Sequence, residues 1–297
     1  MSNYNTLKFL KCILFTTLIT GYLLFAGCIE DKPIDVTNIS TNLTLLAEDK
    51  EQNGSAMEAL SLYDAAIRLN SSDAGLWLKT ADLLFNESMN TEAIIGYSHV
   101  LTLDSENSSA LIGRGAVYAR NGDLMSALAD LKNATAFHPR NAQAHAGLGD
   151  IYSALNEPEQ ALREYGIAIN LSPKNYEFHV KKAELLYDSG RYNEAAKEYD
   201  NALKLNLKDA RSWKRLGEML RLSNRLEEAA VAYKQLNTLI PDNPDNLFIE
   251  AELLEKTGKY KESREIYAQL VKDDPKNVDL LVALARVQNV LGEFDES

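Results

Sequence analysis

The chain has 297 residues, a formal net charge of −12 and two cysteines, Cys12 and Cys28, both near its start. Beyond Gly27 the charge is −14, because Met1–Gly27 hold two lysines and no acid, and so acidic a chain is excluded as a binder of phosphate backbones. With no thiol after Cys28 the remainder forms no disulfide and must be held by a packed core.

In chain order, the first element is a leader. Lys8 and Lys11 precede an apolar stretch from Cys12 to Ala26, short for a spanning helix and of the length of an export signal's hydrophobic part. Leu24, Phe25, Ala26, Gly27 and Cys28 follow, and these look like the lipobox of prokaryotic lipoproteins, with Phe25 where leucine is usual. The resemblance implies cleavage after Gly27, so that 1–27 is a signal peptide, and lipidation of the Cys28 thiol. The alternative is an uncleaved anchor helix from Cys12 to Ile29. On either reading the cationic end stays inside and the rest lies on the extracytoplasmic face of the cell membrane. Residues 28–39 are then a short tether with one proline.

From Ser40 the chain repeats every 34 residues without insertion or deletion. The divisions are 40–73, 74–107, 108–141, 142–175, 176–209, 210–243, 244–277 and a partial eighth, 278–297. The eighth place is Ala47, Ala81, Gly115, Gly149, Ala183, Gly217, Ala251 and Ala285, so two backbones must approach closely there. The twentieth is equally small, Ala59 through Ala229 and then Ser263 and Ser297. The twenty-fourth is a tyrosine, Tyr63, Tyr97, Tyr165, Tyr199, Tyr233 and Tyr267, except for Leu131. Small residues alternating with a ring at this spacing predict two antiparallel helices with the ring filling the gap between them. Glycine or asparagine at the fifteenth place stops the first helix, with Ser88 departing. Pro139, Pro173, Pro241 and Pro275 at the thirty-second stop the second, where Ser71, Ser105 and Leu207 are weaker stops. Each helix has about 13 residues, marginal alone and stabilised by its neighbours.

These residues resemble the tetratricopeptide repeat pattern, best matched by Leu148, Gly149, Tyr152, Ala161, Tyr165, Ala168 and Pro173. The resemblance implies an all-α fold, a right-handed α-α superhelix of seven full repeats and a partial eighth. Glu48, Asp49, Lys50 and Glu51 put charge on the first helix where later repeats are apolar, which reads as a polar end cap.

Eight Asn-x-Ser/Thr triplets begin at Asn38, Asn42, Asn53, Asn70, Asn86, Asn107, Asn133 and Asn170, against about three expected by chance. Two readings stand: glycosylation after export, or a composition rich in Asn and Ser. The chain shows no Gly-rich phosphate loop, no metal-ligand spacing and no nucleophile elbow, and it calls for no cofactor and no metal. His145 and His179 share the fourth place of adjacent repeats, where Trp77 and Trp213 also stand, and read as packing positions. The sequence therefore points to a binding protein rather than an enzyme.

In the resembled family, a concave groove is lined by the second, fifth, sixth and ninth places. Here those places bring Lys181, Arg211, Lys214 and Arg215 together, with Phe248 and Ile249 beside them. An acidic or carboxylate-ended segment of another protein would find charge and then an apolar seat. Against this, Glu177, Glu184 and Glu218 lie three or four residues from Lys181 and Lys214 on the same helices, so internal pairing would account for the charge. Relatives that capture acidic chaperone termini use a Lys and Asn clamp, and Asp150 and Lys181 stand where it wants asparagine. Near the end, Leu280, Leu281, Leu284, Val287, Val290 and Leu291 make a strongly apolar helix. Either the chain continues beyond Ser297, or a second copy docks there, or a partner covers it. The expected function is a membrane-anchored scaffold for protein–protein interaction, resembling prokaryotic repeat lipoproteins of envelope or pilus-type assembly. The alternative is the recognition arm of an envelope enzyme, a glycosyltransferase or peptidase, whose catalytic domain lies downstream.

Overall fold

The computed structural model describes residues 36–292. The signal peptide and residues 28–35 of the tether, Cys28 included, lie outside them, as do residues 293–297. The described residues form fifteen helices in two compact lobes, one ending at Pro139 and one starting at Arg140. The N-terminal lobe holds three hairpins: α1 (Val36–Gln52) with α2 (Ala56–Leu69), α3 (Ala74–Asn86) with α4 (Asn90–Leu103), and α5 (Ser108–Arg120) with α6 (Leu124–Phe137). The C-terminal lobe holds four: α7 (Ala142–Ala154) with α8 (Pro158–Leu171), α9 (Tyr176–Asp188) with α10 (Tyr192–Leu205), α11 (Ala210–Leu222) with α12 (Leu226–Leu239), and α13 (Pro244–Lys256) with α14 (Tyr260–Asp273). A last helix, α15 (Val278–Leu291), follows. Within a lobe each second helix packs on its own first helix and on the first helix of the next repeat. No helix among the described residues is long and apolar enough to cross a membrane.

First helices α3 to α13 have 13 residues and second helices 14, as the 34-residue period requires. Helix α1 starts at Val36, ahead of the first period, and no proline or glycine interrupts Val36–Gln52. The fifteenth place adopts positive φ in every repeat: Gly54, Gly122, Gly190, Gly258 and Gly292, and also Asn156, Asn224 and Ser88 (φ 61°). Ser88 obeys the rule its residue type predicts against. The hairpin turn demands the left-handed conformation, and the paired hydrogen bonds that close the helix, Ser88 N to Phe85 O at 3.0 Å and Met89 N to Leu84 O at 2.8 Å, offset its strain. Second helices end two residues before the thirty-second place whether it is proline or, as after Leu69, Leu103 and Leu205, not.

One regularity that the sequence also carries ends each repeat. The thirty-fourth place is Asp73, Asn107, Asn141, Asn175, Asp209, Asn243 and Asn277, and each side chain accepts a hydrogen bond from an amide in the first turn of the next first helix. Such caps satisfy donors a helix start leaves orphaned. The core of each lobe is built of small residues and rings. The alanines at the twentieth place are fully buried, and the six tyrosines at the twenty-fourth are 0–3 % exposed. Each buried ring contributes roughly 1.5–3 kcal/mol of apolar transfer. Ala285 is exposed, since among the described residues no second helix covers α15.

Candidate protein-binding face

In the C-terminal lobe the first helices α9, α11 and α13 carry the expected binding residues, and ion pairs between neighbouring helices set α7, α9 and α11 side by side. Asp150 on α7 takes Lys181 Nζ of α9 on Oδ2 at 2.6 Å, while its Oδ1 accepts from the Tyr165 hydroxyl at 2.7 Å. Glu184 on α9 pairs with Arg211 of α11 at 2.7 Å. Arg215 pairs with Glu218 at 3.1 Å, and its guanidinium lies over the Tyr187 ring, 5.3 Å from the centroid. Lys214 is exposed and makes no ion pair among the described residues. Phe248 is half-buried and packs on Tyr267 with centroids 5.7 Å apart, so it is as much core as surface.

The pairing differs from the within-helix pattern expected. Only Arg215–Glu218 joins residues of one helix; Lys181 and Arg211 reach acids on the preceding first helix instead. Stacked helices lie close enough for a long side chain to span them, a relation invisible to i, i+4 spacing. The N-terminal lobe repeats the device, with Lys79 on α3 against Glu48 on α1. The charges at 48–51 are therefore not a solvated cap alone. Glu51 accepts from Tyr63 at 3.1 Å and Lys50 pairs with Glu58 at 2.8 Å.

In each lobe by itself the tyrosines hold acids of their own first helices. Tyr97 donates to Asp82 at 2.6 Å and Tyr267 to Glu255 at 3.4 Å, as Tyr165 does to Asp150. Burial, then the neighbouring acids, push these hydroxyls up, to about 12 for Tyr267, so each remains a neutral donor. Tyr199 breaks the series. Its hydroxyl is buried without a partner, and Glu184, at the place Asp150 fills one repeat earlier, pairs with Arg211 instead.

A second row of polar contacts joins the seventh and twenty-third places, and sequence reasoning missed it. Arg114 forms a two-pronged pair with buried Asp130, 2.8 Å at both contacts, and Lys182 meets Glu198 at 2.8 Å. The signal was present in the same 34-residue register, as a cation and an acid 16 residues apart. His145 and His179 are buried and belong to this row: their Nδ1 atoms lie 2.7 Å from Glu164 and 2.8 Å from Glu198. At the same fourth place Trp77 and Trp213 donate to Ser71 O and Leu207 O, both at 2.9 Å, and His179 Nε2 faces Pro173 O at 3.3 Å. The rings thus bridge neighbouring repeats. Among the described residues no three His, Cys, Asp or Glu side chains are grouped to hold a metal ion. Of the triplet asparagines, Asn38, Asn42, Asn53, Asn86, Asn133 and Asn170 are exposed; Asn70 and Asn107 are half-buried. Asn107 is also the α5 cap, accepting from Ala110 N at 3.0 Å.

Models of the family described as tetratricopeptide repeat match residues 44–108, 112–175 and 180–244, and a further one 220–277. No curated protein matches the chain significantly. Solved structures with the same fold include that from the functional characterization of Pseudomonas aeruginosa pilF, 21 % identical, with a TM-score of 0.60 over 73 % of this chain and 99 % of that one. A tetratricopeptide repeat protein from Parabacteroides merdae is 15 % identical, with a TM-score of 0.56 over 85 % and 100 %. YrrB, described as a TPR protein with an unusual peptide-binding site, is 23 % identical, with a TM-score of 0.50 over 62 % and 95 %. Matched over more than half its length, with hairpins in one unbroken register, this chain belongs to the tetratricopeptide repeat family, whose members are protein-binding and generally non-enzymatic scaffolds.

Proposed function

We propose that the chain is a membrane-anchored extracytoplasmic scaffold that holds partner proteins on the first-helix face of its C-terminal lobe and performs no reaction itself. The observation that carries the reading is the row Lys181, Arg211, Lys214 and Arg215, four cations on two adjacent first helices of an acidic chain, with the apolar Phe248 at the fifth place of the following repeat. The acid that holds Arg211 is exchangeable: a partner's carboxylate can replace Glu184 at little net cost, since an exposed pair contributes only about 0–1 kcal/mol, whereas Lys181–Asp150 and Arg215–Glu218 are half-buried. Peptide binding by a fold neighbour, YrrB, supports the same use of the fold here. Lys8, Lys11, the apolar run to Ala26 and Cys28 support the export and lipid-anchor part of the reading, with envelope or pilus-type assembly as the setting.

The test is a pull-down from detergent-solubilised membranes with wild-type protein and with Arg211→Glu/Arg215→Glu. The expected result is loss of the specific partners from the double variant. An unaltered partner set removes this face as the site. Fractionation of Cys28→Ser tests the anchor: the expected result is release from the membrane fraction, and full retention without lipid on the wild type assigns an uncleaved helix instead.

A further inference from the structure

Glu250 stands at the seventh place of its repeat, on α13, and is 6 % exposed. In two other repeats buried leucines, Leu148 and Leu216, fill that place, and in two more it is a cation, Arg114 or Lys182, held by an acid at the twenty-third place. Here the arrangement is inverted. The seventh place is the acid, and the twenty-third is Ile266, which brings no charge. The hydrogen-bonding neighbour of Glu250 is instead Asn237, on α12 of the preceding repeat, whose Nδ2 donates to Oε2 at 2.7 Å.

Asn237 is buried too, and its Oδ1 has no partner. An amide oxygen sealed from water needs a donor. A carboxylate has no hydrogen to give; a neutral carboxyl has one, beside an oxygen that still accepts from Nδ2. The charges acting on Glu250 are Lys234, from α12, and Glu262, from α14, which oppose each other and are both exposed. Burial acts most strongly and pushes the carboxyl up, while Asn237 and Lys234 pull it down by less.

We propose that Glu250 keeps its proton in the folded protein and closes a two-way acid–amide pair with Asn237, a proton-dependent clasp between the sixth and seventh repeats. A carboxyl raised on folding contributes stability that is complete below the unfolded value, about 4.3, and is lost as pH rises through the folded one. The clasp therefore slackens on the alkaline side, and with it the helix that presents Phe248.

Hydrogen exchange on the full chain in detergent tests this, comparing wild type with Glu250→Gln. Glutamine offers Asn237 one donor and one acceptor at every pH. In the wild type, protection of the α12 and α13 amides, corrected for the intrinsic base-catalysed rate, is expected to fall by about tenfold between about pH 5 and about pH 8, and in Glu250→Gln to stay level. Equal pH dependence in both proteins, or none in the wild type, overturns the proposal. Should the variant not fold, the 13C carboxyl signal of Glu250 in wild-type protein reads the same point. A signal that titrates above the free glutamate value, about 4.3, supports the clasp, and one that titrates at or below it overturns the proposal.

Discussion

The ring of Tyr165 occupies the space that a Cβ on Gly149 would need: built onto that glycine, the atom would stand 2.6 Å from Tyr165 Cε1. Gly217 and Tyr233 stand in the same relation, at 2.7 Å. Alanine at position 149 gains about 1 kcal/mol of helix propensity but drives the ring off its hydrogen bond to Asp150, an overpacking cost of about 1–3 kcal/mol. Gly149→Ala is therefore expected to destabilise by about 1 kcal/mol, lowering the thermal midpoint by roughly 2–4 °C. A rise in the midpoint would show that the ring yields freely.

Arg114 and Asp130 form the most enclosed ion pair of the N-terminal lobe, with Arg114 Nη1 also donating to Ser98 at 3.0 Å. Removing the cation leaves a buried carboxylate uncompensated. Arg114→Ala is expected to cost about 3 kcal/mol in denaturant unfolding, and Arg114→Met/Asp130→Leu much less, because apolar side chains of similar volume need no partner. A double variant as damaged as the single one would point to packing rather than charge.

Ser88 holds φ at 61° without being glycine. A side chain in the left-handed region carries strain of about 1 kcal/mol, part of which glycine gives back as unfolded-chain entropy. Ser88→Gly should raise stability by about 0.5 kcal/mol, seen as slower exchange at the end of α3 and the start of α4.

Glu198 sets the behaviour in acid. Burial pushes its carboxyl up, but hydrogen bonds from Lys182 and His179 outweigh that and hold it below the usual range. A carboxyl lowered on folding contributes stability that is present above the unfolded value, about 4.3, and lost as pH falls through the folded one. Acid unfolding followed by circular dichroism should accordingly flatten in Glu198→Gln, while the wild type loses the helices of the C-terminal lobe more steeply below that range. Identical acid limbs would assign the acid sensitivity elsewhere.

Asn141 accepts from Gln143 N at 3.0 Å and Ala144 N at 3.1 Å at the start of α7. Asn141→Ala is expected to cost about 1 kcal/mol by thermal unfolding, and Asn141→Asp to cost little, because the carboxylate caps the same amides. If alanine proves neutral, the loop and not the cap starts the helix.

The hairpins were legible in the sequence because their requirements are local and recur. A small residue where backbones meet, a ring beside it and a left-handed stop recur every 34 residues, and period alone reveals them. The caps at the thirty-fourth place were equally legible there, being one residue type at one register. What the tertiary structure decided is which charge meets which. Lys181 chose Asp150 over the glutamates of its own helix, Glu184 turned to Arg211, the Tyr199 hydroxyl was buried without an acceptor, and Glu250 found an amide instead of a cation. Long flexible side chains on stacked helices have several partners within reach, and the distances between helices, which no single stretch of chain encodes, select among them.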